Sequence, residues 1–243
     1  MERGLYTAAT GMSIADRWMD VISNNLANAS TTAFKRDVLV FNESLERQIA
    51  ATGTNGQKVG SIGAGPSVQG VFTDWESGPM SATGNALDLA IANGQGLFQI
   101  STPQGNFYTR NGSFTIGQDR LLITKEGYPV LDENGATIKI PAGKLTIAND
   151  GTVDVEGQRI GRIALHQGDF TKTGSGLYSS TNASPLTAAQ TNVVQGALEG
   201  SNVNAIEEMV AMIKLNRAFE MAQKSAQSSD ESTQRLIQIL QDR

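Results

Sequence analysis

The chain has 243 residues, enough for one large domain or two modest ones, and its 19 Lys and Arg against 24 Asp and Glu give a formal charge of −5 that disfavours a phosphate-backbone partner. It has no cysteine, which excludes disulfides, thiolate metal ligands and thiol nucleophiles without fixing a redox compartment. All six prolines and 24 of the 26 glycines fall between Gly53 and Gly200, so helix breakers crowd the middle and are nearly absent from both ends.

From the N-terminus, Leu5, Ala9, Met12, Met19, Ile22 and Leu26 recur at intervals of three, four or seven and predict an amphipathic helix. Gly4, Ala8, Gly11 and Ala15 form a small-residue row on an adjoining face. Asp16, Arg17 and Asp20 interrupt any apolar leader, and no stretch approaches the roughly 18 apolar residues of a membrane span, so neither a cleaved signal nor a membrane anchor is expected. The helix should fail near Asn28–Thr32, where Asn, Ser and Thr compete for backbone hydrogen bonds. Lys35-Arg36 is the only adjacent basic pair and reads as solvated surface. Phe34 and Val38–Phe41 open an extended connector, and the Gly-, Ser- and Thr-rich Thr52–Gly70 reads as a loop or hinge.

Short strands should follow. Phe107–Arg110 and Ser113–Ile116 flank Asn111-Gly112, the pair suited to a type I′ hairpin turn. Further strands are predicted at 121–124, 128–131, 137–140, 144–148, 152–155 and 159–166, a spacing that implies a barrel or sandwich.

A long helix is predicted to start at Asn204, which can cap it while Glu207 reaches back. It opens with Ile206, Met209, Val210 and Ile213 and continues as a heptad seam of Leu215, Ala218, Ala222, Ser225, Ser229, Ser232, Leu236 and Ile239. At about 25 cal/mol per Å² such small residues offset little of an ordering cost of roughly 1–2 kcal/mol per residue. The missing burial must come from neighbouring copies or partner proteins, or from a helical hairpin packed on the β domain. The expected fold is therefore α+β: terminal helices at 1–30 and 201–243 packed as a coiled-coil layer, a connector or hinge at 31–70, and an antiparallel β barrel or sandwich at 71–200.

Chemistry is sparse. His166 is the only histidine and cannot build a metal site alone. Asp150, Asp154 and Glu156 lack calcium-loop spacing and read as a hairpin turn. Met209, Met212 and Met221 suit either a contact face or core packing. No catalytic, cofactor or metal residue is assigned, and no enzymatic activity is expected.

Two motifs are specific. The run Ile22-Ser23-Asn24-Asn25-Leu26-Ala27-Asn28-Ala29-Ser30-Thr31-Thr32-Ala33-Phe34-Lys35 resembles the N-terminal signature of bacterial flagellar rod and hook proteins. Leu198-Glu199-Gly200-Ser201-Asn202-Val203-Asn204, with Glu208-Met209-Val210 and Met212-Ile213, is similar to that family's C-terminal signature, and Tyr108–Phe114 matches in between. Ala33 stands where many members carry Gly. Length, Leu5–Ala8, Leu198–Asn202 and Arg217–Met221 resemble the proximal rod members more than the distal rod or the longer hook subunits.

The resemblance implies a helical core layer with a β domain outside it, stacked into the rod that transmits torque across the cell envelope. It implies assembly roles for Asn24, Asn25, Leu26, Asn28, Phe34, Leu198, Glu199, Asn202, Val203, Asn204, Met209, Met212 and Ile213. The helix seam adds Leu5, Met12, Met19, Ile22, Leu215, Ala218, Ala222, Leu236 and Ile239. Implied partners are copies of this chain, other rod proteins and the flagellar type III export apparatus, with no cofactor, no nucleic acid and no direct membrane insertion. The implied location is the basal-body rod in the periplasmic space. Outside the family, the alternatives are a carbohydrate-binding β protein, for which 6% aromatic residues is a thin supply, and a coiled-coil surface adhesin, which would need a signal or anchor.

Overall fold

A computed structural model describes residues 2–42, 46–50, 58–63, 67–92 and 96–241. The chain forms two compact units. The helical unit comprises Met1–Ala27, Asp37–Asp74 and Asn204–Arg243; the β unit comprises Asn28–Arg36 and Trp75–Val203.

The helical unit holds α1 (Glu2–Ala27), α2 (Ala205–Gln241) and strands β1 (Asp37–Asn42), β2 (Glu46–Ala50), β3 (Lys58–Gly63) and β4 (Ser67–Thr73). β1 pairs with β4 and β2 with β3, both antiparallel. Much of the Gly-rich stretch read as a loop is thus strand; residues 51–57 and 64–66 lie outside the described set.

α2 begins where the cap predicts. Asn204 Oδ1 accepts the Ile206 amide at 3.1 Å and its Nδ2 donates to Glu207 Oε1 at 3.0 Å, and Glu207 and Glu208 in the first turn complement the helix dipole. The coiled-coil layer is not what the helices build. Their packed core is a short patch of Ala15, Ile22 and Leu215, bordered by half-buried Met19, Ala211, Met212 and Phe219. Ala218, Ser225 and Ser232 of the predicted seam are exposed, Ala222 and Ser229 half-buried, and the larger Met212 and Phe219 take the inward face instead. The Ala/Ser rows bury too little apolar area to draw the helices into sustained knobs-into-holes packing. Met12 and Leu26 are half-buried, whereas Ala9 and Gly11 are exposed. The side chains of Leu5, Leu236 and Ile239 lie outside the described residues.

The β unit contains β5 (Met80–Ala82), β6 (Leu89–Ile91), β7 (Leu97–Thr102), β8 (Gly105–Thr109), β9 (Phe114–Ile116), β10 (Leu122–Thr124) and β11 (Leu145–Ile147). It continues with β12 (Thr152–Val155), β13 (Gln158–Arg162), β14 (Leu165–Gln167), β15 (Thr171–Gly174), β16 (Leu177–Ser179), β17 (Ser184–Pro185), β18 (Val193–Gln195) and β19 (Ala197–Glu199). The protein is therefore mainly β, with two helices among the described residues. Of the expected barrel or sandwich, no closed barrel forms among the described residues: a six-stranded sheet ordered β15-β16-β8-β7-β14-β17 stays open, beside a three-stranded sheet β11-β12-β13 and the pairs β9-β10, β6-β18 and β5-β19. The strands are too short to wrap one sheet around on itself. They enclose instead a core that includes Phe98, Ile100, Val130, Val153, Ile163 and Val193.

The Asn111-Gly112 hairpin does not form either. β8 pairs with β7 and β16, and β9 with β10. Gly112 is not among the residues with positive φ; its carbonyl accepts the Leu89 amide at 2.9 Å, and a Cβ there would meet Leu89 O at 1.8 Å. Close backbone approach, not turn chemistry, requires this glycine.

Ala33 adopts φ 56° while 4% exposed, in the left-handed region that favours glycine. Ala33→Gly is therefore expected to raise stability by up to about 1 kcal/mol, after the lost methyl burial is offset. Thermal unfolding of the two proteins measures this, and a lower melting temperature in the variant would count against strain at this turn.

Candidate functional site

In the β unit, three chain passages converge on Glu199. Lys35, which follows the left-handed Ala33 turn, has no exposed side-chain surface and donates from Nζ to Glu199 Oε1 and to the Glu76 carbonyl, each at 2.7 Å. Arg110, at the end of β8, donates from Nε to Glu199 Oε2 at 2.6 Å. Its two terminal nitrogens donate to the Gly96 and Ile91 carbonyls at 2.6 and 2.9 Å. The Gly78 amide gives Glu199 Oε1 a further hydrogen bond at 3.0 Å. Burial alone would push the Glu199 carboxyl up, but Arg110 and Lys35 outweigh it and hold the group below its ordinary range, so it is a carboxylate.

Asn202 completes this cluster. Its Oδ1 accepts the Arg36 amide at 2.7 Å and its Nδ2 donates to the Glu76 carbonyl at 3.1 Å, while the Ala33 amide donates to Glu199 O at 2.8 Å. Lys172 Nζ donates to the Lys35 carbonyl and sits 4.3 Å from the Phe34 ring centroid.

In the helical unit, Asn25 ties α1 to β1. Its side chain is 2% exposed, and Oδ1 and Nδ2 meet the Asp37 amide and carbonyl, each at 2.9 Å. Nδ2 also reaches Glu208 Oε1 of α2 at 3.5 Å, and Thr73 of β4 donates to Asp37 Oδ1 at 3.2 Å. One amide supplies both donor and acceptor here, which is why Asn suits the position.

The two sequence motifs thus meet in space, though not all of their residues do. Asn25 with Glu208, and Phe34 and Lys35 with Glu199 and Asn202, are brought together. Asn24 is exposed, Leu26, Leu198 and Val203 are half-buried, and Asn28 accepts from the Thr31 hydroxyl at 3.1 Å in a local turn. Asn204 is the helix cap, Met212 borders the helix patch, and Met209 and Ile213 are exposed. Lys35 is the clearest departure from the sequence reading: it is fully buried, the most buried cation among the described residues, rather than solvated surface. Arg110 lies within the Tyr108–Phe114 match but had no role read for it, and Gly78 carried no local signal.

Elsewhere the polar groups serve structure. Asp150 accepts the Thr152 amide and hydroxyl, each at 2.9 Å, in a tight turn that holds its carboxyl below the usual range. His166 lies beside the Tyr108 ring with its Nδ1 buried and unpartnered, and burial lowers its pKa.

Three family models match in chain order: "Flagella basal body rod protein" at 5–35, "Flagellar hook protein FlgE/F/G D1 domain" at 90–155, and "Flagellar basal body rod FlgEFG protein C-terminal" at 194–239. The chain is 34% identical over 248 residues to the flagellar basal-body rod protein FlgF of Caulobacter vibrioides, covering 99% of this chain and 98% of that one. The chain belongs to the flagellar basal-body rod protein family. FlgF of Rhizobium meliloti is 34% identical over 251 residues (99% and 98% covered), and FlgG of Bacillus subtilis 35% over 263 (98% and 99%). In this rod-family chain, the first and last family models cover the residues that supply Lys35 and Glu199, so the buried cluster joins the two matched ends.

Proposed function

We propose that this chain is a structural subunit of the flagellar rod, in its proximal segment, assembling with other rod components and with copies of itself and carrying torque rather than catalysing a reaction. The observation that carries this reading is the end-to-end match to rod proteins. Matches to FlgF extend over 248 and 251 positions, near the chain's own length, against 263 for FlgG of Bacillus subtilis, which favours the proximal over the distal assignment. On this reading the subunit reaches the periplasmic rod through the flagellar type III export apparatus, without signal cleavage. No described helix is long and apolar enough to cross a membrane.

The helical unit offers the assembly surface. Ile206, Met209, Val210 and Ile213 are 70%, 45%, 45% and 53% exposed, at the i, i+3, i+4, i+7 spacing of a helix face that docks into a partner. Isolated subunits leave this row in water. Ile213→Asp should therefore leave the purified chain folded, with a stability change within about 0.5 kcal/mol, yet prevent rod completion in cells that carry it as their sole copy. Motility assays and electron cryotomography of basal bodies test this; intact rods and normal swimming would reject the assembly role of the row.

A further inference from the structure

We propose that Glu199 is the closing latch of the β unit, which stays open until the last residues of its own chain segment are in place. The inference concerns folding order and stands independently of the rod assignment.

The topology places closure at the end of the segment. The first two strands of the unit, β5 and β6, pair with its last two, β19 and β18. Glu199 is the final residue of β19, and it is the carboxylate shared by two cations that lie 164 and 89 residues earlier in the chain, Lys35 and Arg110. Its carbonyl also holds the Ala33 turn, and its carboxylate holds the Gly78 amide.

Before residue 199 arrives, closing the unit would require burying Lys35 and Arg110 without that counter-charge. Burial of a charge without its partner is strongly unfavourable, and the loop that must close around Lys35 is long. β7 and β8, by contrast, are joined by a tight connection and can pair as soon as they are made. The chain therefore remains deformable while it is being synthesised, and closes when the segment that leads into α2 is in place.

Two measurements on the full chain test the order. In pulsed hydrogen exchange during refolding of the unaltered protein, amides in β7 and β8 should gain protection first. The amides of Ala33, Gly78 and Gly200 should gain it in the last phase. Protection of both sets in the same early phase would overturn the latch. Independently, the chain has two tryptophans, Trp18 in the helical unit and Trp75 in the β unit, so Trp18→Phe leaves Trp75 as a reporter of the β unit alone. In that background Glu199→Gln should speed unfolding at least 100-fold while changing the refolding rate less than 3-fold, as expected for contacts made after the transition state. A refolding rate that falls enough to account for the whole loss of stability would show that Glu199 acts early, and would overturn the proposal.

Discussion

Arg110→Met is expected to destabilise the β unit by about 3–5 kcal/mol, the usual cost of removing one partner from a buried charge cluster. The substitution keeps most of the side-chain volume but removes three hydrogen bonds, to Glu199 Oε2, Gly96 O and Ile91 O, and leaves the buried Ile91 carbonyl and the half-buried Gly96 carbonyl without these donors. A domain of ordinary stability has about 5–15 kcal/mol to lose, so the variant should unfold at much lower denaturant. Arg162→Met supplies the comparison. Its partner Glu133 is 38% exposed, and an ion pair in that setting contributes no more than about 1 kcal/mol. Urea unfolding followed through Trp75 in a Trp18→Phe background measures both; equal losses would mean that burial of the cluster adds nothing. Replacing Lys35, Arg110 and Glu199 together by apolar residues should recover much of the loss, because no charge is then left uncompensated.

This cluster also shows where sequence reading stops. The start of α2 was legible because Asn204 and Glu207 act within one turn of each other, and the end of α1 because Asn28 and Thr31 bond locally. Family signatures pointed to Phe34, Glu199 and Asn202. They did not say what those residues do, since Lys35 appears solvated until a carboxylate 164 residues away is placed beside it. Some strand positions were readable from β-branched runs, as at Thr152–Val155, but the stretches predicted at 128–131 and 137–140 form only isolated bridges, and β5–β7 and β15–β19 were not foreseen. Sheet topology was not, because β5-β19 and β6-β18 pair across more than 100 residues and nothing local records their register. The coiled-coil expectation failed for a related reason. A heptad spacing fixes which residues share a face, but Phe219 and Met212 bury more area than Ala218 and Ser225, and the helix turns that heavier face inward.

Two Asn-Gly pairs of the β unit that lie among the described residues sharpen the point. Gly135 follows Asn134 in a turn where its amide donates to the Asp132 carbonyl at 3.0 Å, with φ 76° and open space where a Cβ would stand. Gly135→Ala should cost about 1–2 kcal/mol, the strain of a left-handed alanine. Gly112→Ala should cost more, above about 3 kcal/mol, although its backbone is not left-handed. The added Cβ would lie 1.8 Å from Leu89 O and 2.8 Å from Leu89 C, both backbone atoms that no rotamer change can move. Leu89 is 1% exposed in β6 and is paired with Gln195 in β18, so relieving the clash means displacing a strand of the core. Hydrogen exchange should therefore show lost protection at Leu89–Ile91 and Val193–Gln195 in Gly112→Ala, and none there in Gly135→Ala. If the two variants lose similar stability, Gly112 is serving as a turn residue after all, and the close approach to Leu89 is not what demands a glycine at this position.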